Sequence, residues 1–114
     1  MEKQNDKTEP FVAIGVPVYN GEKYLEECLN SILNQTYKNW ECVIVNNQST
    51  DNSVKIAEKL TKIDQRFKLI THPEFVDVTS NFNNTLKYSK EGIYFKVVCA
   101  DDWLFPEYLL YLSP

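Results

Sequence analysis

Apolar residues in this chain alternate between a pattern typical of buried strands and one typical of helices. Four short runs rich in β-branched and aromatic residues predict strands, and they lie at residues 11–16, 41–45, 67–71 and 93–98. The first run meets Pro17, which has no backbone N–H to donate and is expected to end its strand. Most positions of the fourth run are apolar, so that strand is expected to be largely buried.

Between these runs, apolar residues recur every three or four positions, which predicts amphipathic helices. The second of them is expected to take Thr50 or Asp51 as its cap. The third is expected to turn Phe82, Leu86 and Tyr88 inward. The first predicted helix runs from Glu22 to about residue 34–35, and the second has an apolar stripe from Val54 to Ile63. The third covers residues 78–90 and ends at 91–92, and the fourth covers residues 105–112.

The strictly alternating order of strands and helices predicts an α/β fold. We expect three α-β-α layers around a mostly parallel, Rossmann-like sheet. In such a sheet the carboxyl ends of the first, second and fourth strands can converge on one crevice, and these ends are residues 17–20, 46–50 and 99–102. Residues 1–10 are polar and lack periodicity, so we expect a disordered lead-in followed by a single domain over residues 11–114.

Composition and charge exclude several classes of protein. The net charge of −4 and the pI near 5.0 argue against a nucleic-acid-binding protein that works through a broad basic face. The sequence has no apolar run of membrane-spanning length and no apolar signal-peptide core. We therefore expect a cytoplasmic protein with no membrane span in this chain. The three cysteines have neither metal-site nor disulfide spacing, and reduced, buried thiols are expected at Cys28, Cys42 and Cys99.

Two adjacent carboxylates, Asp101 and Asp102, follow the fourth strand. Neighbouring carboxylates repel each other unless a cation or donor network compensates, so the pair indicates a divalent metal site. An alternative remains open from these residues alone, in which Asp102 caps a helix near Pro106 and Asp101 is solvated beside it.

Four motifs, in order, resemble the amino-terminal half of family 2 glycosyltransferases, which have the GT-A fold. The resemblance spans residues 12–110. Its motifs are Val-Pro-Val-Tyr-Asn-Gly-Glu at 16–22, Leu-Asn-Ser-Ile-Leu-Asn-Gln-Thr-Tyr at 29–37, Val-Asn-Asn-Gln-Ser-Thr-Asp-Asn-Ser at 45–53, and Gly-Ile-Tyr-Phe at 92–95 leading to Ala-Asp-Asp at 100–102.

The resemblance implies a nucleotide-diphosphate sugar donor, Mg²⁺ or Mn²⁺, and sugar transfer to a saccharide or lipid-linked acceptor in polysaccharide or glycan synthesis. A UDP-sugar is favoured, and the site of action would be the cytoplasm or the inner face of the membrane. By this resemblance Asp101 and Asp102 hold the metal, which neutralises the leaving diphosphate. The residues implied to bind the nucleotide sugar are Pro17, Tyr19, Asn20, Glu22, Asn46, Asn47, Ser49 and Asp101.

The chain departs from the family pattern at three places. Asn46 and Asn47 stand where the family usually has two aspartates, which would change the hydrogen bond to the base. Cys99 replaces the first acid of the DxD motif, and we expect it to pack rather than to bind metal. The segment 81–84 lacks an arginine that many relatives carry near the phosphates.

The general base of the transfer reaction is implied to lie beyond Pro114, so we expect a donor-binding half of an enzyme with negligible activity alone. Two other classes of enzyme, nucleotidyltransferases and dinucleotide-binding dehydrogenases, would need a Gly-rich loop after the first strand, and residues 17–20 are not Gly-rich. The remaining alternative is a degenerate, non-catalytic nucleotide-binding or scaffold domain of the same fold. The oligomeric state is left open.

Overall fold

Strands and helices alternate in the computed structural model, which describes residues 10–88 and 94–112. Three predicted features lie outside these residues: all but the last residue of the lead-in over 1–10, the helix end at 91–92 and the strand start at Ile93. The elements are β1 Val12–Val18, α1 Leu25–Leu33, β2 Trp40–Asn46, α2 Ser53–Ile63, β3 Phe67–Thr71, α3 Val78–Tyr88, β4 Tyr94–Val97 and α4 Tyr108–Leu112.

The four described strands form one parallel sheet in the order β3-β2-β1-β4. The winding therefore runs outward from β1 through β2 to β3 and then returns to the other side of β1. Right-handed crossovers place α1 and α2 on one face of such a sheet and α3 on the opposite face. This topology confirms the predicted α/β fold. The direction in which successive strands are added to the sheet reverses at the boundary between β1 and β4.

Alternation along β1 supplies the inner surfaces of both helical layers. Val12, Ile14 and Val16 belong to a core that also contains Leu29 of α1 and Leu60 of α2. On the opposite face, α3 approaches β1 so closely that a Cβ atom on Gly15 would lie 2.5 Å from Thr85 Cβ. The core is thus an apolar layer on the α1/α2 side, and on the α3 side the Thr85 side chain packs closely against Gly15.

The prediction that Pro17 ends the first strand is wrong by one residue, because β1 continues to Val18. Gly15 accepts a hydrogen bond from Val98 N–H on the β4 side. In a parallel strand, residues two apart point their backbone groups to the same side, so Pro17 also faces that side. The paired part of β4 has already ended there, at Val97 opposite Gly15. A missing N–H at Pro17 therefore costs no ladder bond.

The predicted inner face of the third helix is also wrong. Asn81 and Thr85 are the buried residues of α3, whereas Phe82 and Leu86 are 37% and 60% exposed. The space beside Gly15 is too narrow for a large side chain, which selects Thr85 over the aromatic and aliphatic residues next to it. Periodicity alone favours the larger apolar residues, and this explains the error.

Two further expectations need correction. The fourth strand is only partly buried, and Phe95 is 36% exposed, because β4 lies at the edge of the described sheet. The cap of α2 is Asn52 rather than Thr50 or Asp51, although Asp51 Oδ1 still accepts a hydrogen bond from Ser53 N–H. Within the described ranges, every helix is too short or too polar to cross a bilayer.

Candidate functional site

A cleft of about 410 Å³ opens at the carboxyl ends of β1 and β4. These two strands flank the point where the sheet topology reverses, which is where open α/β sheets bind their ligands. The cleft thus joins two of the three predicted loops. Its lining residues are Pro17, Tyr19, Asn20, Gly21, Lys23, Tyr24, Ala100 and Asp101.

Asn20 ties the loop after β1 to the loop after β2. Its backbone N–H donates to Ser49 Oγ at 2.9 Å, and its Oδ1 accepts from Thr50 N–H at 2.8 Å. Asn20 has a positive φ of 50°, a conformation that asparagine tolerates better than most residues. Two predicted site residues, Asn20 and Ser49, are therefore brought together directly.

Glu22 makes a second reciprocal pair across the same two loops. Its N–H donates to Asp51 Oδ2 at 3.1 Å, and its Oε1 accepts from Asn52 N–H at 2.8 Å. Gly21 N–H adds a bond to Ser53 Oγ at 2.8 Å. The Glu22 carboxylate thus positions one wall of the cleft, since one of its oxygens is used within the protein.

The two asparagines that replace the family's aspartates are both buried, with 3% of Asn46 and 2% of Asn47 exposed. Asn46 donates from Nδ2 to Thr71 Oγ1 at 3.3 Å and accepts at Oδ1 from Ser49 N–H at 3.1 Å. Asn47 uses its amide on both backbone groups of Val76. These amides hold the neighbouring segments in place beneath the loops.

Tyr19 supplies an exposed aromatic surface beside the cleft. It is 53% exposed, and its ring meets that of Phe75 edge to face, with centroids 5.1 Å apart. An exposed aromatic ring that already packs against a neighbouring ring can stack on a flat partner. Packing alone does not account for Tyr19, because half of its surface remains in solvent.

The strand β4 delivers three potential metal ligands to the other wall. One ligand atom from each of Cys99, Asp101 and Asp102 lies within 4.8 Å of the others. Cys99 is half-buried and both aspartates are exposed. The helix-cap interpretation of Asp102 is wrong, since α4 begins only at Tyr108 and its first turn bonds to Phe105 O.

The donor set of this cluster suits a divalent cation. Two exposed carboxylates provide hard oxygen ligands, and the neighbouring cleft leaves room for ligands from a bound molecule. Burial, together with the charges of Asp102 and Asp101, raises the pKa of the Cys99 thiol. A cation placed there would oppose the effect of those two negative charges.

The cysteines are all free, but only two follow the prediction. Cys28 and Cys42 are buried, whereas Cys99 is half-buried and lies in the acidic cluster. Cys28 lies close behind it, with Sγ 3.5 Å from Cys99 O, and burial raises the pKa of the Cys28 thiol to about 12. The expectation that Cys99 only packs is not supported by this position.

Two residues of interest were not identified from the sequence pattern. Lys23, which lies just before α1, lines the cleft together with Asp101. Asn81 is 5% exposed, and its Oδ1 has no hydrogen-bond partner among the described residues. Asn81 lies one turn before Thr85 on a helix antiparallel to the strands, so it is about 6 Å nearer the cleft end of β1 than Thr85 is.

His72, the single histidine, has a structural role. It is 4% exposed, its N–H donates to Asn46 O at 3.0 Å, and its Nε2 lies 2.9 Å from Asn84 Nδ2. Because an amide nitrogen can only donate, Nε2 accepts this bond. Gln48 Nε2 donates to His72 O, which joins β3 to the loop after β2.

The sequence resembles known proteins over most of its length. The family described as glycosyl transferase family 2 matches residues 13–112. Glycosyltransferase GlyA of Streptococcus pneumoniae is 40% identical over 98 residues, which cover 86% of this chain and 14% of GlyA.

Solved structures resemble the fold as well. S. aureus TarS 1-349 in complex with UDP-GlcNAc matches with a TM-score of 0.80 and 30% identity, over 90% of this chain and 30% of that one. The mannosyltransferase PcManGT of Pyrobaculum calidifontis, in complex with GDP-Man and Mn²⁺, matches with a TM-score of 0.75 and 25% identity, over 83% of this chain and 28% of that one. The chain thus spans less than a third of the length of these relatives.

Proposed function

The chain belongs to glycosyl transferase family 2, and from that premise we propose that its cleft binds a nucleotide-diphosphate sugar, with a UDP-sugar favoured. The observation that carries the proposal is that Tyr19 and Asp101 line one cleft. An aromatic surface suits a planar base, and a carboxylate suits the cation that accompanies a diphosphate. The complexes of TarS with UDP-GlcNAc and of PcManGT with GDP-Man support this class of ligand.

The base and ribose are assigned to the β1 side of the cleft. Pro17 and Tyr19 would contact the base, and Asn20 lines the cleft while Ser49 supports its backbone. Glu22 would act by keeping this loop in place.

Beneath these loops we assign Asn46 and Asn47 to the same nucleotide-binding region. Their amides already bond within the protein, so we expect them to shape the site through the backbone of the 46–50 loop.

Asp101 and Asp102 are assigned to a bound Mg²⁺ or Mn²⁺. The cation would supply charge neutralisation of the leaving diphosphate. The chain's own contribution is to fix two carboxylates at the mouth of the cleft, 4.8 Å or less from each other. The Mn²⁺ in the PcManGT complex supports a cation in this fold.

The reaction served would be sugar transfer to a hydroxyl of a saccharide or lipid-linked acceptor, in the synthesis of cell-surface polysaccharide or glycan on the cytoplasmic side. We expect residues 1–114 alone to bind donor without transferring sugar. This expectation follows because no described residue at the cleft is assigned as the general base that deprotonates the acceptor.

Calorimetric titration of UDP, GDP and CDP tests the proposal, first with Mn²⁺ and then with a chelator. We expect metal-dependent binding of one nucleotide, lost in Asp101→Asn and retained in Glu58→Gln, which changes an exposed carboxylate on α2. If none of the three nucleotides binds to a folded chain, the degenerate scaffold domain becomes the better description.

A further inference from the structure

We propose that the Cys99 sulfur is a third protein ligand of the cation held by Asp101 and Asp102, and that it shifts the metal preference of the site from Mg²⁺ toward Mn²⁺, Co²⁺ and Zn²⁺. This inference rests on the proposed donor site. It concerns a residue at which the chain departs from the acidic motif of its family, so it does not follow from family membership.

The dimensions of the cluster agree with one shared ion. In a tetrahedral site, zinc bonds of about 2.3 Å to sulfur and about 2.0–2.2 Å to carboxylate oxygen put neighbouring ligand atoms roughly 3.3–3.7 Å apart. The three ligand atoms of Cys99, Asp101 and Asp102 all lie within 4.8 Å of one another. Closing on a cation therefore needs movements of roughly 1 Å or less, which the exposed side chains of Asp101 and Asp102 can make by rotation.

The position of Cys99 in the chain explains why its sulfur reaches the carboxylates. Asp102 N–H donates to Cys99 O at 2.9 Å, which folds the chain back over one turn immediately after β4. The Cys28 thiol lies 3.5 Å from the same carbonyl oxygen and occupies the buried side. The Cys99 side chain is accordingly half-buried and on the side of the exposed aspartates.

The chemistry of the ligand set determines which cations benefit. Mg²⁺ is a hard ion that prefers oxygen, whereas thiolate favours softer cations such as Zn²⁺ and Co²⁺, with Mn²⁺ intermediate. On ligation a metal–sulfur bond forms and the thiol proton leaves to solvent, with no change of oxidation state. A serine or aspartate at this position would keep the site but restore its preference for oxygen-seeking ions.

Cobalt supplies a direct readout, because a thiolate bound to Co²⁺ gives a sulfur-to-metal charge-transfer band in the near ultraviolet. We would titrate Co²⁺ into the full chain and then compete it with Mg²⁺ and Zn²⁺. The expected result is a band that Zn²⁺ abolishes and a large excess of Mg²⁺ does not. Cys99→Ser and Cys99→Asp should lose the band and bind Co²⁺ at least ten-fold more weakly relative to Mg²⁺.

Two thiol controls separate Cys99 from the other cysteines. Cys42→Ala removes a buried thiol in β2, and Cys28→Ala removes the thiol behind Cys99; both should keep the band. Far-ultraviolet circular dichroism identifies any variant that fails to fold. The Cys99→Asp variant serves as a second test if Cys99→Ser is unstable.

A band that persists in folded Cys99→Ser, or its absence in a wild-type chain that binds nucleotide with Mn²⁺, overturns the proposal. The latter result leaves the donor-site proposal intact, since nucleotide binding is measured separately. Loss of nucleotide binding with every cation would instead count against the donor site itself.

Discussion

The side-chain amide of Asn47 pairs with both backbone polar groups of Val76. Asn47 Nδ2 donates to Val76 O at 2.7 Å, and Val76 N–H donates to Asn47 Oδ1 at 2.9 Å. The two bonds attach the segment between β3 and α3 to the end of β2. An aspartate could accept the second bond but could not donate the first.

Asn47→Asp should therefore destabilise the protein by roughly 1–3 kcal/mol, the usual cost of leaving a buried polar group without a partner. The carboxylate would also face the Val76 carbonyl oxygen, which is a repulsive contact. Chemical denaturation at neutral pH measures the difference.

Asn46→Asp is the matched control, since Thr71 Oγ1 can turn its hydroxyl to donate to a carboxylate and Ser49 N–H already donates. We expect a smaller loss there. Equal losses at the two positions would contradict the role given to Val76.

Gly15→Ala should destabilise the fold by about 1–3 kcal/mol, the range for overpacking a core. The added methyl group would lie 2.5 Å from Thr85 Cβ, so α3 must move away from the central strand. Gly21→Ala provides the comparison, because its methyl group would lie 3.2 Å from Ala100 Cβ in a loop and in ordinary van der Waals contact, at 3.6 Å, with Val18 Cγ1. A thermal-melting shift as large for Gly21→Ala as for Gly15→Ala would count against a tight α3–β1 contact.

Asp64 should make stability depend on pH in the acid range. A hydrogen-bonded ion pair with Arg66, with 2.7 Å between Oδ2 and Nη2, lowers the pKa of the Asp64 carboxyl. A lowered folded-state pKa contributes stability above the unfolded value of about 3.9, and this is lost as the pH falls through the folded-state value.

Asp64→Asn should thus lose on the order of 1 kcal/mol at neutral pH and show a flatter fall in stability below pH 4. Denaturation curves at pH 7, and in steps over roughly pH 5 to 2, measure this, because the lower range includes the unfolded-state pKa of about 3.9. Glu26→Gln disrupts the more exposed pair with Lys59 and should change stability less. A larger effect at Glu26 would contradict the assignment.

Lys23 should provide a cationic contact for the donor diphosphate. It lines the cleft with Asp101, and the segment 81–84 offers no arginine for this purpose. Lys23→Gln should weaken nucleoside-diphosphate binding roughly five- to ten-fold, in line with about 1–1.5 kcal/mol for one hydrogen bond. Calorimetry against the nucleoside should show little change, because the nucleoside has no phosphate. Lys62→Gln, on α2, is the control for total charge.

Asn81→Leu should reduce nucleotide affinity without destabilising the protein. The buried Oδ1 has no described partner, so an apolar side chain of similar size removes an unsatisfied acceptor. If Asn81 Oδ1 instead stabilises only the fold, nucleotide affinity will stay unchanged while the melting temperature falls. Calorimetry and thermal melting on the same sample distinguish the two results.

Local pattern determined the order of elements, the class of fold and the strand ends that carry the site. These features are local because strand and helix periods, and the polar residues that stop each run, are properties of a few consecutive residues. The parallel sheet followed from that order, and of the three strand ends expected to converge, the first and the fourth line one cleft.

Tertiary structure decided the features that depend on residues distant in the chain. Gly15 leaves space for Thr85 but not for Phe82, Val76 uses the amide of Asn47, and the turn after β4 places Cys99 beside the aspartates. Each outcome depends on interatomic distances between separate elements, and periodicity carries no information about those distances. The sequence therefore determined which strand ends meet, and close packing decided which side chains face the cleft between them.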